Sequence, residues 1–263
     1  MRALRQFLAI QWSEASVDWR PMLLSLAGLL LGLLSQLYLG RFVDAVPHPQ
    51  LGGYAASYSA FLLIGLALLE LQSSIVGALA LRVREAQRSG ALEVYLATPI
   101  ALPTLLLGLV VYDAGFALLR LIGYFLVGVL LFSVPVVGVH WPALLAAVTL
   151  GWIAFGGLAL VSAALTLELR RSDPLSLLLG ALSIIACDVL YPSKVLPSAL
   201  RGFGQILPLG PALETLRGAL RGECCTAALV WLAIQGIVLV LVGILGFSWA
   251  YRRARQRGTL SAP

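Results

Sequence analysis

Apolar runs of roughly 20 residues, each long enough to cross a bilayer, alternate with short charged breaks through most of the chain. The pattern predicts an interface helix followed by six spans. Over residues 2–20, Leu4, Phe7, Leu8, Trp12, Ala15 and Trp19 mark one helical face, while Arg2, Arg5, Gln6, Glu14 and Asp18 lie mostly off it. That is the signature of a helix lying in the membrane interface, with tryptophans at headgroup level. No uninterrupted apolar core of the secretory-signal kind precedes Pro21. The spans are expected at about 22–39, 58–81, 104–132, 143–167, 175–191 and 227–250. The first contains Gly28-Leu-Leu-Leu-Gly32, a spacing that allows close helix pairing but that is also common by chance, because glycine is frequent in such helices.

Two stretches depart from this rhythm. After Tyr191, Leu196, Ala199, Leu200, Phe203 and Leu207 form one helical stripe, and Leu209, Ala212, Leu213, Leu216 and Leu220 form a second. Pro208-Leu-Gly210-Pro211 divides them. Each piece is about 11 residues, roughly 16 Å, half of the hydrocarbon thickness, so neither spans. Residues 192–222 are therefore expected to form a helical hairpin that dips into the membrane and returns, packed against protein so that its backbone is satisfied.

The second departure is the insert from Arg84 to Pro99. Arg84, Glu85, Arg88 and Glu93 would each cost roughly 2.5–3.5 kcal/mol at a bilayer centre. Yet Leu92, Tyr95, Leu96 and Pro99 recur at helical spacing. Gly90 lets the chain turn before this stripe, and Thr98-Pro99 resets the backbone after it. The reading is a short amphipathic helix outside the membrane between two spans. Its stripe either docks into a groove on another protein or lies flat on its own bilayer.

Composition agrees. The 263 residues are 60% hydrophobic and 11% charged, with a mean hydropathy of +0.95; soluble domains run near 25% charged. The expected class is an all-α polytopic membrane protein in a single transmembrane domain. The net charge of +6 is almost all arginine, Lys194 being the lone lysine. Because the arginines sit beside apolar runs, lipid and not nucleic acid explains them. Six spans place Arg2, Arg5, Arg20, Arg82, Arg84, Arg88, Arg170, Arg171, Arg252, Arg253, Arg255 and Arg257 on one side. Arg41, Lys194, Arg201, Arg217 and Arg221 fall on the other. The positive-inside rule then puts both termini and the Arg84–Pro99 insert in the cytoplasm and the hairpin outside.

Enzymatic signatures are absent. There is no GxxxxGK[ST] and no G-x-S-x-G; His48 and His140 both fall in loops, away from any span. Cys224 and Cys225 are adjacent and Cys187 is the one other cysteine, which does not make a disulfide framework. No metal site, cofactor or catalytic residue is expected. Four charges fall within spans: Glu70, Asp113, Arg120 and Asp188. Such residues are functional candidates by default, but a structural pair of Arg120 with Glu70 or Asp113 is the favoured account, and Asp188 is expected to cap the outer end of the fifth span.

Two motifs carry a resemblance. Glu85, then Gly90-Ala91-Leu92-Glu93, then Leu96-Ala97-Thr98-Pro99-Ile100, resembles the cytoplasmic coupling segment of type-2 ATP-binding cassette (ABC) exporter membrane subunits. Tyr191-Pro192, Val195-Leu196-Pro197, Leu207-Pro208, Leu213-Glu214 and Arg217 resemble that family's external re-entrant hairpin, with Phe203 inside it. The likeness extends over the six-span order, including the N-terminal interface helix. Ala91 departs from the usual threonine, which weakens a local hydrogen bond. A competing likeness is to the loop of cassette importers, through Glu85-Ala86, Gly90 and Ile100-Ala-Leu102-Pro103. Its glycine and isoleucine are one residue early, and importers carry that loop late in the chain. The exporter resemblance implies a permease subunit in the bacterial inner membrane. It implies a second permease subunit, identical or related, and two cytoplasmic ATPase subunits that bind ATP and magnesium. Arg84, Glu85, Arg88, Gly90, Leu92, Glu93, Tyr95, Leu96, Thr98 and Pro99 would couple to the ATPase. Pro192, Leu196, Pro197, Phe203, Pro208, Glu214 and Arg217 would line or gate the exit. The cargo implied is amphipathic: a drug, a lipid-like molecule or a glycan. A different class is a six-span secondary transporter or channel, driven by an ion gradient through Glu70, Asp113 and Arg120.

Overall fold

The fold follows from where helices must stop. A computed structural model describes residues 58–88, 102–132, 138–169, 174–192 and 196–256, with scattered helical positions between 28 and 40. All elements among these residues are helices: α1 (Tyr58–Arg88), α2 (Leu102–Phe132), α3 (Trp141–Leu169), α4 (Pro174–Ala186), α5 (Ser198–Ile206), α6 (Leu209–Leu220) and α7 (Thr226–Gln256). Three are long and apolar enough to cross a membrane: Tyr58–Arg88, Trp141–Leu169 and Thr226–Ala254. Helix α2 is equally long, and its side chains are described from Gly115 to Leu130. The interface helix at 1–20 and most of the first expected span lie outside the described residues.

Contacts fix the directions of the helices. Arg120 of α2 meets Glu70 of α1, so these two helices, joined through 89–101, run antiparallel. Helices α3 and α7 run parallel. Gly236 lies against Ile153 and Ala154, Gly157 against Leu239 and Val240, and Gly243 against Leu160, while Arg253 pairs with Glu168 at 3.5 Å. At Gly157 a Cβ would stand 2.6 Å from the Leu239 backbone. The absence of side chains at these crossings lets two backbones approach closely, which substitutes packing for the hydrophobic drive that lipid removes.

Two ends of the bundle emerge. At one lie Arg82, Arg84, Glu85 and Arg88 of α1, Glu168 of α3, and Arg252 and Arg253 of α7. At the other lie Tyr58, the Gly138–His140 turn and the ends of α6 and α7 that meet there. His140 donates its backbone N–H to the Ala219 carbonyl at 2.9 Å. Its Nδ1 accepts from the Ala143 N–H at 3.2 Å, so this histidine caps α3.

One expectation is corrected and another extended. The fifth span was expected over 175–191, but α4 ends at Ala186, after about 20 Å of rise. Asp188 then takes φ 55, a left-handed conformation disfavoured for a residue with a Cβ. Helical bonding is given up there because side chains from elsewhere take over the freed carbonyls. The second span was expected over 58–81, and helix α1 continues beyond it, through the charged residues to Arg88. Charge sets where a helix leaves lipid but does not unwind it, and Arg82 and Glu85 support the last turns at 3.8 Å.

Candidate functional site

Between α4 and α7 the chain forms the two short helices that the pair of stripes predicts. Leu207 precedes Pro208 and is extended, at φ −77 and ψ 132, as expected for a residue whose helical conformation would clash with the proline ring. Pro208 opens α6, where a missing N–H costs nothing. On α6 the predicted stripe is the buried face: Leu209, Ala212, Leu213, Leu216 and Leu220 all lie in the core. On α5 the stripe is corrected at Phe203, which is 56% exposed. The contact face centres on Gly204, whose bare Cα lies directly against the Ala186 carbonyl. The tip of this unit reaches the middle of the bundle, where Leu207 packs on Val76, Leu158 and Leu179.

A tip at that depth must find partners for its last helical carbonyls. Helix α7 supplies them. Gln235 donates through Nε2 to the carbonyls of Gln205 at 2.7 Å and Ile206 at 3.0 Å. Trp231 donates its indole N–H to the Gln205 carbonyl at 2.8 Å. The break after α4 is held from α1 and α6. The Tyr58 hydroxyl donates to the Leu190 carbonyl at 2.9 Å. Gly65 lets α1 approach Val189, whose carbonyl oxygen would be 2.5 Å from a Cβ at that position.

Arg217 joins these parts. It is 2% exposed. Its guanidinium donates to the carbonyls of Phe61 at 3.1 Å and Asp188 at 2.8 Å, and it lies 3.7 Å from the centroid of the Phe61 ring. Phe61 is in turn stacked on Tyr58. A buried cation is tolerable when carbonyl dipoles and a ring face replace its hydration. Asp188 thus contributes its main-chain oxygen to this junction and lies two residues past the end of α4, so it does not cap the helix as expected. Deeper in, Gln72 of α1, 1% exposed, donates to the Ser183 hydroxyl of α4 at 3.0 Å.

The charges assigned to the spans resolve into one pair. Arg120 donates to a Glu70 carboxylate oxygen at 3.0 Å, Ser74 donates to the same oxygen at 3.1 Å, and Phe116 lies beneath the guanidinium at 5.2 Å. Of the two pairings considered, the one with Glu70 forms; the side chain of Asp113 lies outside the described residues. The remaining site residues divide. Arg84 and Glu85 are at the charged end of α1, with Arg88 exposed as its last residue. Gly90, Leu92, Glu93, Tyr95, Leu96, Thr98 and Pro99 lie outside the described residues. Pro192 and Pro208 are buried, Leu196 is half-buried, and Pro197 and Glu214 are exposed. Among the described residues no three His, Cys, Asp or Glu side chains group to hold a metal.

Sequence reasoning passed over Tyr58, Phe61, Gln72, Ser183, Trp231 and Gln235. The two glutamines carried a signal: a primary amide inside an apolar run needs a hydrogen-bond partner on another helix. No family model matches this chain, and no curated protein matches it.

Proposed function

We propose that this chain is the permease subunit of an ATP-driven exporter, moving an amphipathic cargo outward with ATP hydrolysed by a separate subunit. The observation that carries the reading is the insert at the charged end of α1. It pairs a docking stripe (Leu92, Tyr95, Leu96 and Pro99) with flanking charges, in a chain that has no nucleotide-binding motif of its own. A permease with no nucleotide site of its own would take its drive from an ATPase docked on such a stripe. In this reading α1, α2, α3, α4 and α7 are five spans, with residues 22–39 as the first. Helices α5 and α6 enter from the outside and return, their tip tied to α7. The parallel course of α3 and α7 supports this count, because α4 then makes the one crossing between them. Two permease copies, identical or related, dock on two ATPase subunits, and a second copy closes the pathway.

Orientation is testable with native thiols. Cys224 is exposed, Cys225 half-buried and Cys187 buried; all three are free. A membrane-impermeant maleimide added to intact cells labels Cys224 first. Cys225 follows more slowly, because burial, with the Glu214 and Glu223 carboxylates nearby, pushes its thiol pKa up and leaves less thiolate. Cys187 stays unlabelled. Labelling of Cys224 that appears only after permeabilisation reverses the orientation and refutes the exporter reading.

Coupling is tested on the stripe. Leu92→Asp with Leu96→Asp, or Glu93→Arg alone, abolishes association with the ATPase subunit, measured by co-purification, and with it transport. The helices described above stay folded by circular dichroism. An undiminished complex and full transport in both variants reject the coupling role.

A further inference from the structure

Helix α4 meets the bundle along one narrow line. Leu179, Ser183 and Ala186 face inward and are buried, while Leu177, Leu178, Leu182 and Ile185 face outward. Thirteen residues with one stripe of contact are weakly held by apolar packing alone. Besides the Gln72–Ser183 hydrogen bond and the contact of Gly204 with Ala186, the helix is held at its end, where the chain from Cys187 to Leu190 is non-helical and its carbonyls accept from Arg217 and Tyr58.

We propose that Arg217 is the positioning residue for α4: by gripping the Asp188 carbonyl and the first turn of α1 together, it sets where α4 and its outward apolar face stand relative to the bundle. The geometry favours this role over general stabilisation. Arg217 is carried by α6, which seats on α3 through Ala212 against Gly151 and on the turn before α3 through the Ala219 carbonyl, which accepts from the His140 N–H, independently of the guanidinium. The guanidinium reaches away from that seat, to Phe61 and Asp188, residues 156 and 29 positions distant in sequence. Phe61 keeps its place within α1 without the arginine. The Asp188 carbonyl lies outside any helix and accepts from it at 2.8 Å. The inference concerns this chain alone and stands whether or not an ATPase partner exists.

The test is hydrogen–deuterium exchange of the full chain in lipid nanodiscs, comparing wild type with Arg217→Met, which keeps the apolar stem and removes the donors. Loss of a charge-assisted hydrogen bond predicts exchange roughly tenfold or more faster over residues 175–192. Exchange over 141–169 and 226–256 stays unchanged. Two results overturn the proposal: no acceleration over 175–192, or acceleration of equal size throughout the chain, which marks a merely structural cation. Should Arg217→Met fail to fold, Arg217→Lys carries the same comparison. Lysine keeps the charge, but its ammonium ends one bond short of the Nη2 atom that donates to both carbonyls. The same local acceleration then supports the proposal, and unchanged or uniform exchange overturns it.

Discussion

Gly157→Leu yields a chain that does not survive detergent extraction as a folded, monodisperse species, whereas Gly156→Ala behaves as wild type. The two glycines are adjacent and differ only in what surrounds them. A Cβ at Gly157 meets backbone atoms of α7, the Leu239 carbonyl carbon at 2.6 Å and the Val240 nitrogen at 2.7 Å. Backbone cannot swing aside as a side chain can, so α3 and α7 must separate along their length. Gly157→Ala alone costs about 1–3 kcal/mol, the range for overfilling a close-packed contact, and the larger leucine forces the pair apart. At Gly156 a Cβ meets nothing within 4 Å, and alanine there gains up to about 1 kcal/mol of helix propensity. Size-exclusion profiles after a temperature series measure both. A Gly157→Leu protein with a wild-type profile shows that the α3–α7 crossing is not as close as described.

The second large effect separates the two readings of the intramembrane charges. Glu70→Leu alone leaves the Arg120 guanidinium without its carboxylate and costs about 3 kcal/mol. That is the lower end of what breaking a buried pair costs, because the two side chains retain 17% and 27% exposure. Replacing both, Glu70→Leu with Arg120→Met, recovers most of the loss, since well-packed apolar side chains serve as well as a desolvated ion pair. Melting of the purified single and double variants measures this directly. If the double variant also retains transport, the charges are structural, and the alternative of an ion-coupled secondary transporter loses the residues it needs. If it is stable but inert, that alternative gains ground.

What the sequence disclosed depended on whether a feature was local. The α5–α6 unit was legible because its cause lies within a dozen residues: two stripes too short to span, and a proline that forces Leu207 out of the helix. The starts of α1 and α4, at Tyr58 and Pro174, were legible for similar reasons, as apolar periodicity and a first-turn proline announce themselves. The early end of α4 was not legible. Residues 187–191 look like more span, and once they leave the helix their carbonyls are met by Arg217 and Tyr58, from far away in sequence. Arg217 was singled out only through the hairpin resemblance and placed with the exterior arginines; its burial against Phe61 and Asp188 comes from tertiary structure. The Glu70–Arg120 pair was half legible: spacing named the arginine and two candidate carboxylates, and tertiary structure chose between them. The stripe from Leu92 to Pro99, on which the functional reading rests, stands on sequence alone.

The shortness of α4 has a consequence for the surrounding lipid. In the six-span reading proposed above, a helix of about 20 Å in a hydrocarbon layer of about 30 Å leaves the rest of its crossing to the non-helical segment pinned at Leu190 and Asp188. Long helices such as α3 and α7 answer a thicker bilayer by changing tilt. This crossing cannot tilt without tearing its anchors, so lengthening the acyl chains concentrates the mismatch at one flank of the protein. Activity reconstituted across a series of phosphatidylcholines of increasing chain length would accordingly fall first for reasons seated beside α4, while the rest of the bundle adapts.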